Sequence, residues 1–160
     1  DCDSDFQIVV LCGKNQKLKA RLEKLKAGSK KALHAIGYTT SMQTYLAAAD
    51  IMIGKSGGLT SSECLAAGLP MLIVNPIPGQ EEGNANQLLE HGAALSCTTR
   101  AITYKLDKIL TSEDNLEKMR KAAQSLGRPN SANVISKEFV TGAKEYQTTA
   151  KSYLERVLTR

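Results

Sequence analysis

Aromatic side chains are scarce in this 160-residue chain, which has two Phe, five Tyr and no Trp. Nucleic-acid binding by base stacking needs such platforms, so their scarcity argues against it. Long apolar runs are missing as well: no stretch of about 18 apolar residues could cross a bilayer. The opening DCDSDFQIVV lacks the basic and apolar regions of a signal peptide. A soluble, cytoplasmic chain is expected. Cys2, Cys12, Cys64 and Cys97 are scattered, with no C-x-x-C pair and no His at metal-ligand spacing. Reduced, mostly buried thiols and no metal follow as expectations. His34 and His91 stand alone, which suits core or helix-end positions better than a triad or a zinc site.

Two nucleotide signatures are also missing. A P-loop, G-x-x-x-x-G-K-[ST], would need glycine five residues before Gly54, and Ala49 stands there. The GKS of Gly54–Ser56 is therefore not an ATPase motif. G-x-G-x-x-G occurs neither in this loop nor around Gly13–Asn15, so NAD and FAD have no support and no cofactor is expected.

What is present is a chain with 42% hydrophobic residues, enough to bury a sheet covered by helices. Short apolar runs alternate with helical patterns through the first hundred residues, the signature of an α/β fold with a Rossmann-like parallel sheet and helices on both faces. Strands are expected near Gln7–Cys12, Ala32–Ile36, Ile51–Ile53, Met71–Val74 and Ala93–Cys97. Helices are expected near Gln16–Ala27, Ser41–Ala48, Leu59–Ala67 and Asn84–His91. After Thr98 the pattern is all helical, near Ala101–Leu110, Glu113–Leu126, Ala132–Thr141 and Ala143–Leu158. Residues 1–98 thus read as the sheet-bearing part and 99–160 as a helical tail completing it. The last helix gathers Tyr146, Ala150, Tyr153, Leu154 and Val157 on one face, which requires a docking partner.

Charge is unevenly spread. Eight Lys or Arg and a single Glu lie between Lys14 and Lys31, exceeding the net +5 of the whole chain. Leu18, Leu22 and Leu25 form a narrow stripe within that run. The plain reading is a solvated outer helix; the sharper one is a face for an anionic membrane surface.

In doubly wound sheets ligands sit beyond the carboxyl ends of the strands, which points to the loops Gly13–Asn15, Gly37–Thr40, Gly54–Thr60 and Asn75–Asn84. Gly57 and Gly58 precede a helix, where two glycines allow positive φ and the open N-terminus favours a phosphate. Ser56 and Thr60 add hydroxyls and Lys55 adds charge. The alternative is a simple turn with Ser56 or Thr60 as N-cap. Glu63 has two readings of its own: a capping box with Thr60, or a carboxylate accepting two hydrogen bonds from a ribose diol. Asn75–Asn84, stiffened by Pro76 and Pro78, presents Gln80, Glu81 and Asn84, groups suited to sugar hydroxyls.

The string KSGGLTSSECLAAGLPMLIVNPIPGQEEGNANQLLEHGAA, Lys55–Ala94, closely resembles the donor-binding half of GT-B diacylglycerol glycosyltransferases, the monogalactosyldiacylglycerol synthases and processive diacylglycerol glucosyltransferases. VVLCGKN and GYTTSMQTYLAAAD extend the likeness to about Gln7–Leu95. The resemblance implies that Ser56, Gly57, Gly58 and Thr60 hold the diphosphate of a UDP-sugar, and that Glu63 binds the ribose. It further implies that Gln80 and Glu81, with Asn84, read the hexose, while backbone around Tyr38 and Thr39 meets uracil. UDP-glucose or UDP-galactose would be the donor, and diacylglycerol or another lipid the acceptor, at a peripheral membrane location. The acceptor-binding N-terminal domain that holds the family's general base has no counterpart here, so a longer enzyme or a partner subunit is implied. Competing readings are a donor subunit using UDP-N-acetylglucosamine and a polyprenyl-linked acceptor with a membrane partner, and a UDP-sugar epimerase. The last is an anionic-lipid module that binds no nucleotide.

Overall fold

The computed structural model describes residues 4–158, with side chains described up to 142 and at 149 and 151. The chain runs β1 (Gln7–Leu11), α1 (Gln16–Lys26), β2 (Ala32–Ile36), α2 (Met42–Ala48), β3 (Met52–Gly54), α3 (Gly58–Ala66), β4 (Met71–Val74) and α4 (Glu82–Glu90). It continues through β5 (Ala94–Cys97), a 3-10 turn at Thr99–Ala101, α5 (Ile102–Leu110), α6 (Glu113–Leu126) and α7 (Ser131–Leu158). Every strand pairing is parallel. The expected single sheet is instead two: β1 pairs with β2, and β4 lies between β3 and β5. No β1–β3 ladder joins them, which periodicity cannot foresee because it reports a strand and not its neighbour.

The core lies around β4. Successive strand residues face opposite sides, so Met71 and Ile73 enter one cluster with Cys64, Leu88 and Ala123, while Leu72 enters another with Ile109 and Met119. Both faces of the three-stranded sheet are covered, as a parallel sheet requires. Each fully buried Leu, Ile or Met contributes roughly 1.5–3 kcal/mol. At one crossing α6 comes so close to α3 that a Cβ on Gly127 would collide with the backbone carbonyl of Leu65. Only glycine fits there.

The helical tail expected from residue 99 onward is itself divided at Gly127. Leu106, Ile109, Met119 and Ala123 are buried, so α5 and α6 belong to a compact unit ending at Gly127. Residues 128–160 form a unit of their own. There the two expected helices are one, α7, running through Gly142. An isolated glycine costs a helix only about 1 kcal/mol, which need not break it. Val134, Ile135, Phe139 and Val140 on α7 are exposed. The side chains of Tyr146, Ala150, Tyr153, Leu154 and Val157 lie outside the described residues.

Helix α1 starts where Asn15 accepts the N–H of Leu18 at 2.9 Å, and Lys24 and Lys26 sit at its negative C-terminal end. None of its residues is buried. Among the described residues no helix is long and apolar enough to cross a membrane. Cys12, Cys64 and Cys97 are free thiols, the first two buried, while Cys2 lies outside the described residues. His34 sits in β2 and His91 at the C-terminus of α4, its ring Nδ1 2.8 Å from the carbonyl of Gln87.

Candidate functional site

Strand β3 delivers the chain into Lys55–Gly57 and then into α3. Gly57 is the N-cap, without a side-chain cap, and the first helical bond runs from the N–H of Ser61 to the carbonyl of Gly57 at 2.9 Å. The N–H groups of Gly58, Leu59 and Thr60 therefore have no acceptor within the helix. This open N-terminus, with its partial positive charge, can receive an anion. Neither Ser56 nor Thr60 is the cap, and the capping box fails for the same reason: Thr60 already lies in the first turn. Glu63 is exposed, one turn further on, and its carboxylate has no hydrogen-bond partner among the described residues.

The paired glycines serve a purpose other than the expected one. Gly57 has φ −60°, and the positive-φ glycines are Gly13, Gly68, Gly79 and Gly92. A Cβ on Gly57 would stand 3.6 Å from Oε1 of Glu81, and one on Gly58 would stand 3.9 Å from Nδ2 of Asn84. Both are ordinary contact distances, so neither glycine is demanded by strain. What their bareness does is leave the gap between the two loops unfilled.

The second loop leaves β4 through Asn75, whose φ of 47° is left-handed and whose Nδ2 donates to Oγ1 of Thr99 at 3.0 Å. Asn tolerates this conformation better than other non-glycine residues. Beyond the prolines, the N–H of Ile77 donates to Oε2 of Glu81 at 2.7 Å, and the N–H of Gly79 donates to Oε2 of Glu82 at 2.9 Å. Two carboxylates thus fold the loop from within. Gln80 is exposed at its tip.

Ser56 and Asn84 join the loops. Ser56 is fully buried; its hydroxyl donates to the carbonyl of Glu81 at 3.0 Å, and its own carbonyl accepts from Nδ2 of Asn84 at 2.9 Å. The single proton of that hydroxyl is committed inside the protein. Beside the joint, a crevice of about 140 Å³ between α3 and α4 is lined by Gly58, Ser61, Asn84 and Gln87 among others. The hydroxyl of Ser61 is buried there without a partner among the described residues.

Tyr38 and Thr39 follow β2, in the other sheet. The Tyr38 ring is exposed, with Nζ of Lys14 5.6 Å from its centroid, and Oγ1 of Thr39 accepts the N–H of Ser41 at 3.0 Å. The loops after β1 and β2 thus meet each other through a cation and a ring. Lys55 is exposed. Sequence reasoning missed Asn75, Glu82 and Ser61. Only the first carried a signal, an Asn at a strand end before a proline.

No group of three or more metal-ligating side chains gathers among the described residues. The arrangement can hold an extended anionic ligand, with phosphates at the N-terminus of α3 and hydroxyl-bearing groups beside Glu63 and the Gln80–Glu81 loop.

A parallel α/β unit with polar loops at its strand ends is the architecture shared with solved GT-B structures. MurG of Acinetobacter baumannii aligns with a TM-score of 0.61 at 22% identity, over 81% of this chain and 42% of that one. A UDP-N-acetylglucosamine 2-epimerase aligns at 0.61 and 20% identity, over 87% of this chain and 37% of that one. The chain belongs to the glycosyltransferase family 28 C-terminal domain family, whose model matches residues 1–145. Among curated proteins it is 36% identical to a processive diacylglycerol β-glucosyltransferase of Bacillus subtilis, over 86% of this chain and 36% of that protein. The enzyme of the same name from Bacillus licheniformis is 36% identical over 85% of this chain. The chain spans about a third of the length of these relatives.

Proposed function

We propose that this chain is the donor-binding part of an inverting glycosyltransferase that moves a hexose from UDP-glucose or UDP-galactose to a lipid acceptor, diacylglycerol foremost. The observation that carries the reading is the open N-terminus of α3, set against the polar Gln80–Asn84 loop and tied to it at Ser56. The curated relatives are named for glucosyl transfer to diacylglycerol, which supports the choice of substrates.

In this reading the diphosphate lies on the N–H groups of Gly58–Thr60, Glu63 takes the ribose diol, and Gln80 with Glu81 reads the hexose. The backbone at Tyr38 and Thr39 meets uracil. An acceptor hydroxyl attacks C1 from the face opposite UDP, so the new C1–O bond forms as the bond from C1 to the phosphate oxygen breaks. UDP leaves with the electron pair, and its growing charge is met by the helix N-terminus with Lys55 nearby. That charge compensation supports transfer without a metal ion. The proton passes to a general base proposed to lie outside these 160 residues, so the chain alone binds donor without turning it over. The basic face of α1 supports peripheral contact with an anionic membrane, where the acceptor resides.

Calorimetric titration with UDP, UDP-glucose, UDP-galactose and UDP-N-acetylglucosamine, with and without chelator, tests the reading. All four should bind, the preferred hexose most tightly, and chelator should change nothing. Glu63→Ala should weaken all four roughly tenfold or more, the loss of a charged hydrogen-bonding partner. A protein that binds none of them is not a donor domain. A second reading, UDP-sugar epimerisation, is favoured by the fold likeness to the 2-epimerase alone. Release of free epimerised sugar nucleotide on incubation with UDP-N-acetylglucosamine would support it.

A further inference from the structure

The joint between the two loops has a role that ligand contact does not explain. Ser56 sits at the turn that opens α3, yet it is fully buried and points its hydroxyl away from that helix to the carbonyl of Glu81, 25 residues on. The same carbonyl accepts the N–H of Ala85 at 2.9 Å, so both of its acceptor positions are used. Asn84 returns the bond to the carbonyl of Ser56. Two antiparallel hydrogen bonds, one in each direction, therefore clamp a single residue of the first loop to the start of α4.

The clamp reaches the cleft through Glu81. With its carbonyl held by Ser56 and its Oε2 held by the N–H of Ile77, the carboxylate keeps Oε1 beside the bare Cα of Gly57. The position of an oxygen proposed to face the sugar is thus set by a serine that is itself inaccessible. Two hydrogen bonds partly shielded from water also hold the loop more tightly than fully exposed ones do.

We infer that Ser56 is a positioning residue: together with the Glu81 backbone and the Asn84 side chain it forms a latch that fixes the distance between the phosphate-binding turn and the hexose-reading loop. The inference rests on the donor-site reading above for its consequence, though not for the latch itself. A ligand spanning both loops gains from the fixed spacing, because the loops need not be ordered on binding. A ligand held by the turn alone gains nothing.

Two measurements on Ser56→Ala separate this from direct ligand contact. The first is calorimetry with UMP, UDP and UDP-glucose. The wild-type protein should gain affinity at each step. The variant should keep its UMP and UDP affinities within about threefold, and should lose most of the increment from UDP to UDP-glucose, at least about tenfold. The second is amide hydrogen exchange without ligand. Residues 77–84 should exchange at least about tenfold faster in the variant, while Leu72 and Ile73 in β4 stay protected. Loss of UDP affinity with the hexose increment intact would make Ser56 a ligand group and overturn the latch. Unchanged exchange at residues 77–84 would overturn it as well. If the wild-type protein binds no UDP or UDP-glucose, the donor-site reading fails, and the exchange experiment still decides whether the latch exists.

Discussion

The two sheets of this unit are built to different standards. In the three-stranded sheet Met71, Leu72 and Ile73 are 1%, 0% and 0% exposed, with helices on both faces. In β1, whose sequence is as apolar, Ile8 and Val9 are 38% and 47% exposed. The difference lies in what covers them. The loops follow suit: those after β3 and β4 are joined by part-buried hydrogen bonds, whereas those after β1 and β2 meet through Lys14 and an exposed Tyr38. The end of the cleft proposed for phosphate and hexose is preorganised, and the end proposed for the base is lightly built.

The largest expected effect breaks the better-built half. Leu72→Ala removes a fully buried side chain from a filled layer and should cost about 2–5 kcal/mol. Val9→Ala, on a half-exposed strand, should cost less than about 1 kcal/mol. Urea unfolding of the two variants measures the ratio directly. Equal losses would mean that β1 is as well covered in solution as β4.

A smaller effect sharpens the comparison inside the site. Gly57→Ala puts a methyl at ordinary contact distance from Glu81 without backbone strain, so stability should be unchanged or rise by up to about 1 kcal/mol. The same methyl enters the gap between the loops and should lower UDP-glucose affinity about tenfold. Tyr38→Ala, at the exposed end, should lower it less than about threefold, because backbone rather than ring is proposed to meet the base. Parallel melting curves and titrations read both effects. A variant at Gly57 that binds normally would place the ligand elsewhere.

Much of this architecture is legible in the sequence, and the rest is hidden for a physical reason. Strands β2 and β4 and helix α6 fall on the expected residues because continuous apolar runs and helical spacing are local signals. The features that failed depend on a distant partner. The hydroxyl of Ser56 beside two glycines reads as a phosphate ligand, and nothing near it in the chain announces the carbonyl of Glu81. The glycines suggest positive φ, and only the opposite loop shows why a side chain is unwelcome. Glu63 is the reverse case, since its local signature favoured a cap that the register of α3 disallows. Separation into two sheets is likewise a matter of neighbours.

The smallest effect uses a thiol as a reporter of the better-built half. Cys64 is fully buried in the cluster below α3, and burial first, with the nearby Glu63 carboxylate second, pushes its pKa up from 9.0 to about 11. The unfolded chain therefore gives up this proton at lower pH than the folded one. The stability associated with the neutral thiol is fully present below pH 9 and is lost as pH rises through about 11. Other groups titrate in that range, so the informative quantity is the difference between the wild-type protein and Cys64→Ala. That difference should shift by on the order of 1–2 kcal/mol between pH 8 and 11, wild type losing more. Iodoacetamide labelling gives the same ordering by rate. Cys97 is only half buried, and although burial raises its pKa too, Lys105 partly offsets the rise. Cys97 should therefore be alkylated well before Cys64 in the native protein, and a Cys64 that reacts first would show that the layer beneath α3 opens more readily than its packing implies.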